Sequence, residues 1–113
     1  MHEMSLAEGV LQLVEDAAER EGFTRVRTIF IEIGALSGVE PEAMAFCFDA
    51  VSRGTPVEGA TLEIIHVPGT GRCLECGKDT ELTAVYDACT HCGAMPVSIT
   101  GGTEMRVKEL EVD

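Results

Sequence analysis

The sequence predicts an α+β fold, with two helices packed on a three-stranded mixed sheet and a zinc-ribbon-like module inserted near its end. Three observations carry this. Apolar residues recur at helical spacing in two segments, and each segment is followed by a stretch that alternates as a strand does. Two C-x-x-C pairs sit late in the chain, Cys73/Cys76 and Cys89/Cys92, with twelve residues from Gly77 to Ala88 between them. Pro68-Gly69 marks the entry to that module, and an apolar stretch returns after it.

Taken in order, Ser5-Leu6-Ala7-Glu8 reads as a capping box opening the first helix. Leu6, Val10, Leu13, Val14 and Ala17 form its apolar stripe, widened by Ala7, Leu11 and Ala18, and Gly22 ends it. Thr24 to Ile33 reads as a central strand, because both of its faces are apolar near its end. Glu40-Pro41-Glu42 opens a second helix, with proline at the first helical position and acids near the positive end of the dipole. Ala43, Met44, Cys47, Phe48 and Val51 are its stripe, Cys47 being core filler, and Gly54 closes it. Ala60 to Val67 is a second strand, with His66 near its end, and Ser98 to Val112 a third. Leu110 and Val112 fall out of phase with Met105 and Val107, which points to a bulge near Lys108-Glu109. The expected domains are 1–68 plus 97–113, and 69–96.

The cysteine spacing is that of a structural zinc site with four thiolate ligands. Two thiols separated by two residues share one tight turn, and the glycine after each pair allows the positive φ that closes it. Two such turns present four soft thiolates to one Zn²⁺. Two disulfides fit less well, since a fifth cysteine is left over and nothing resembles a signal peptide. Rubredoxin-like iron would use the same four residues, and the sequence leaves it open.

Composition narrows the function classes. The chain has 113 residues, 45% hydrophobic but only 4% aromatic, so its core is aliphatic. Twenty acidic and eight basic residues give a formal charge of −12. Phosphate backbones attract Lys and Arg, so a nucleic-acid zinc ribbon is disfavoured. No apolar run has the length of a membrane span, and cytoplasm is the expected location. No nucleophile–base pair, phosphate loop or paired-acid motif appears, so an enzyme is not expected.

Met1-His2-Glu3 offers a second metal set. A free α-amine, the backbone nitrogens of His2 and Glu3, and the His2 imidazole can form a four-nitrogen plane. Such a plane suits Ni(II) or Cu(II), not zinc. Histidine at position 2 disfavours removal of the initiator methionine, which keeps the amine on Met1.

Met1-His2-Glu3, the acidic helix after it, Gly34 to Glu40 and the two late knuckles together resemble the HypA family, over essentially the whole chain. The resemblance implies a nickel-insertion accessory protein of [NiFe] hydrogenase. It implies transient Ni²⁺ cargo held by His2, with Met1 and Glu3 as backbone contributors, and structural Zn²⁺ held by Cys73, Cys76, Cys89 and Cys92. The implied partners are a HypB-type GTPase and the hydrogenase large subunit, and some members also serve urease maturation. In some relatives a histidine follows each C-x-x-C pair. Here Gly77 and Gly93 stand there and His91 lies inside the second pair, so exchange of thiolate for imidazole at zinc is not implied.

Overall fold

The computed structural model describes residues 2–95 and 97–113. The elements are α1 (His2–Glu21), β1 (Val26–Gly34), α2 (Pro41–Ser52), β2 (Thr61–Val67), β3 (Gly69–Cys73), β4 (Asp79–Leu82), β5 (Val97–Gly101) and β6 (Met105–Val112). They make two three-stranded sheets, in the orders β2-β1-β6 and β4-β3-β5. Two compact units result. One comprises the chain up to Ile31, Val39–Ile65 and Arg106–Asp113; the other comprises Glu32–Gly38 and His66–Met105. Among the described residues no helix is long and apolar enough to cross a membrane.

In the first unit α1 packs on α2. Ala7, Val10, Val14, Met44, Cys47 and Phe48 are buried there together with Ile29 and Ile31 of β1. The central place expected for the first strand is the one β1 occupies. α1 stops where a glycine follows, Gly22 at φ 82° with its N–H on the Ala18 carbonyl at 2.8 Å, whereas α2 ends at Arg53, which turns extended at φ −62° and ψ 129°, with Gly54 at φ 76° next. Glu40 caps α2, its carboxylate accepting the Glu42 N–H at 3.0 Å, and Pro41 follows in the first helical position.

Two local expectations change here. The helix begins at His2, so Ser5 is an interior residue and not the cap. Nothing from His2 to Met4 breaks a helix, so the strong local signal at Ser5 is overrun. Leu13 is 49% exposed, at the solvent edge of the stripe expected to bury it, while its neighbour Val14 takes the buried place.

In the second unit β3 pairs antiparallel with both β4 and β5, with a register shift at Thr70/Gly71 on the β5 side. Cys73, Leu82, Cys89 and Val97 form its buried centre, with Leu36 and Ala94 packed on it. The stretch read as one third strand from Ser98 to Val112 is two strands in two different sheets. Gly101-Gly102 breaks it. Gly102 holds φ 79°, its carbonyl accepts the Leu36 N–H at 2.8 Å, and a Cβ there would sit 2.5 Å from the Pro68 carbonyl oxygen. Only a residue without a side chain fits a backbone crossing this close. The phase slip in β6 remains visible as two successive exposed residues, Lys108 and Glu109, between half-buried Val107 and Leu110.

Candidate metal centres

The two C-x-x-C turns are built alike. Cys73 ends β3, its N–H donates to the Lys78 carbonyl at 3.0 Å, and its own carbonyl accepts the Gly77 N–H at 3.0 Å. Cys89 repeats the pattern with Ala94 at 3.0 Å and Gly93 at 2.9 Å. Gly77 and Gly93 hold φ 73° and 76°, the positive values that the turns require. Backbone N–H groups then point at sulfur: Cys76 N–H lies 3.5 Å from Cys73 Sγ, and His91 N–H 3.3 Å from Cys89 Sγ.

These turns bring four sulfurs together, all within 4.8 Å of one another. Cys73 Sγ is 3.5 Å from Cys92 Sγ, and Cys76 Sγ 3.8 Å from Cys89 Sγ. A disulfide needs about 2.05 Å, so the thiols are not bonded to each other. A tetrahedron with metal–sulfur bonds of about 2.3 Å has edges of about 3.8 Å, near the 3.5 and 3.8 Å of these two pairs. The donor set is soft and four-fold, and fits a tetrahedral d¹⁰ ion.

The thiols do not ionise alike. The Cys76 N–H, opposed by burial, draws Cys73 below the ordinary thiol value. The Cys92 and His91 N–H groups bring Cys89 down to about 6. The Ala94 N–H would lower Cys92 as well, but the crowding Cys73 thiol, burial, and the Cys89 and Cys76 thiols push it up to about 12. Four thiolates at this distance would repel one another without a cation between them, and the group is one that can hold a metal ion.

Further bonds fix the second turn on β4. The Thr80 and Thr90 hydroxyls lie 2.7 Å apart, and the Thr90 N–H donates to Thr80 Oγ1 at 3.1 Å. His91 Nε2 is 3.0 Å from the Asp79 carbonyl, so this ring is engaged with backbone beside the cysteine set. His66 is exposed on β2. Neither histidine belongs to the four-cysteine group found among the described residues.

At the other end, Met1 lies outside the described residues. His2 and Glu3 occupy the first turn of α1. The first four N–H groups of a helix have no partner within it, so the nitrogens of His2 and Glu3 are free of helical bonds. His2 Nδ1 lies 3.6 Å from Glu3 Oε2. The same oxygen accepts the backbone N–H of Glu40 at 3.3 Å, and this bond foremost holds the Glu3 carboxyl below its ordinary value. The sequence marked Glu40 only as a helix start; no local pattern tells that a residue 37 positions away meets Glu3.

The chain is matched over residues 1–112 by the HypA family model, described as hydrogenase/urease nickel incorporation, metallochaperone. It is 58% identical to the hydrogenase maturation factor HypA of Albidiferax ferrireducens and 59% identical to that of Dechloromonas aromatica, each over the full length of both chains. Among solved structures it resembles the Ni metallochaperone HypA from Helicobacter pylori, with a TM-score of 0.68 at 25% identity, covering 97% of this chain and 96% of that one.

Proposed function

Because this chain belongs to the HypA family of nickel-incorporation metallochaperones, we propose that it carries Ni(II) at its N-terminus and passes it to a [NiFe] hydrogenase large subunit during maturation. In this reading it is a carrier and not an enzyme. The observation that carries it is the separation of two unlike donor sets. His2 and Glu3 belong to the first unit and the four cysteines to the second.

The nitrogen-rich set suits nickel. The Met1 amine, the His2 and Glu3 amide nitrogens and the His2 imidazole are four nitrogens of the kind that a square-planar Ni(II) takes. Deprotonation of two amides cancels the charge of the ion. A metal taking these nitrogens breaks no helical hydrogen bond, since first-turn amides have none to lose. The thiolate set holds Zn²⁺ through Cys73, Cys76, Cys89 and Cys92. Its task is structural, because Cys73 and Cys89 are also core residues of their unit. A HypB-type GTPase and the large subunit are the partners, in the cytoplasm, and urease maturation is a second client route within the family description.

The test is metal titration of His2→Ala beside wild type. Nickel affinity should fall at least tenfold while zinc stays at one per chain. Equal nickel affinity in the two proteins would reject the N-terminal site. Iron in place of zinc at the four cysteines, read by metal analysis, would instead favour electron transfer.

A further inference from the structure

Phe46 is 76% exposed, whereas Phe48, two residues on, is 3% exposed and sits in the core. The chain holds only four phenylalanines. Helix α2 already buries Met44, Cys47 and Phe48 on its other side, so the fold does not require a ring at position 46. Residues three and four apart share a helix face, which puts Glu42, Asp49 and Ala50 around this ring. All three are exposed, and Arg53 lies one further turn along. The outward face of α2 is thus an aromatic ring beside a small residue, flanked by two carboxylates.

We propose that this face docks the nickel-accepting protein, which offers an apolar pocket rimmed by Lys and Arg. The inference rests on the metallochaperone reading and adds the surface used. Aromatic residues, Phe among them, are enriched at interfaces, and anchors that fill a partner's pocket carry much of the binding energy. The carboxylates of Glu42 and Asp49, on a chain of formal charge −12, select a basic rim and speed encounter with it. A second copy of this chain fits poorly, since face-to-face pairing would set these carboxylates against each other. Position supplies the remaining argument. Glu40, at the start of α2, holds the Glu3 carboxylate, and Phe46 is six residues further, a rise of about 9 Å. Along the axis of α2, Phe46 thus lies fewer than two turns from the residue that holds the first turn of α1.

Three full-length proteins test this: wild type, Phe46→Ala and the pair E42Q/D49N. The probe is immobilised, metal-free hydrogenase large subunit, with binding followed at low and high salt. Alanine is the better helix former and the ring is solvent-exposed, so Phe46→Ala should not lower the melting temperature. It should bind nickel as wild type does and dock at least tenfold more weakly. E42Q/D49N should associate more slowly, with a smaller dependence on salt. Docking of Phe46→Ala at wild-type strength, or no docking by wild type, would overturn the proposal. A change of oligomeric state in Phe46→Ala with docking intact would reassign the face to self-association and overturn it too. Absence of nickel binding in wild type would remove the metallochaperone reading itself, an outcome distinct from failure of the docking face alone.

Discussion

The carboxylate of Glu3, in the first turn of α1, accepts the backbone N–H of Glu40 at 3.3 Å, at the residue that caps α2. One side chain thus joins the starts of two helices at the turn carrying His2. In the proposed site Glu3 contributes its backbone nitrogen, so its side chain and its amide have separable roles. Glu3→Ala loses the tie to Glu40 but keeps the amide, and should weaken nickel only several-fold. Glu3→Pro removes the ionisable N–H. Proline is tolerated in the first turn of a helix, so the fold should persist while tight nickel binding is lost. Calorimetric titration of both variants separates these effects; equal losses would mean that the amide is no ligand.

The same tie has a pH signature. Glu3 is held below its ordinary value of 4.5, first by the Glu40 N–H. Glu111 is lowered too, first by the Thr28 hydroxyl at 2.8 Å and then by Arg27 at 3.1 Å. A depressed carboxylate contributes stability above its unfolded value, and that contribution is lost as pH falls through the folded value. The Glu40 amide resonance should therefore titrate with a midpoint below 4.5. Glu111→Gln should flatten the acid limb of the stability curve without altering nickel affinity. A Glu40 midpoint at or above that ordinary value would show that the bond is not formed in solution.

The four-cysteine unit should unfold locally when one of its thiols is removed. Cys73 and Cys89 belong to the four-cysteine group and are buried members of the cluster with Leu82 and Val97. Cys73→Ala or Cys89→Ala should release the metal and abolish hydrogen-exchange protection in β3, β4 and β5. Protection in α1 and α2 should survive. Unchanged protection in β3 would make the metal dispensable for folding.

Glycines offer an internal control on packing. A Cβ on Gly34 would collide with the Gly102 carbonyl, and both positions are backbone crossings. Gly34→Ala should cost about 1–3 kcal/mol of stability. Gly9 has nothing within 4 Å of its Cβ position and lies inside α1. Gly9→Ala should gain about 0.8–1 kcal/mol. Thermal melts of the two variants should move in opposite directions.

Most of the secondary structure was legible because it is written in local pattern. The isoleucines of β1 alternate, Pro41 starts a helix, Gly22 ends one where a positive φ is needed, and Gly54 lies just past the end of the other. The cysteine cluster was legible for the same reason, since each turn closes within a few residues. What escaped was decided by residues distant in sequence. The division of 97–112 between two sheets depends on Gly102 meeting Pro68 and Leu36, although Gly101-Gly102 was a turn signal in plain view. The Glu3–Glu40 bond joins the starts of two helices far apart in sequence, and periodicity in one segment carries no trace of it, whereas Phe46 lies off the apolar stripe that periodicity draws for α2.

In the proposed function the N-terminal amine, two amides and the His2 imidazole hold nickel independently of the cysteine site. The decisive variant adds Gly-Ser before Met1 and keeps every native residue, so that the amine becomes an amide and moves away while His2 remains. Calorimetric titration with Ni²⁺, beside zinc analysis, should show nickel binding lost, one zinc per chain retained and the fold intact. If the extended protein bound nickel as tightly as wild type, the amine would not be a ligand and the four-nitrogen site would be contradicted.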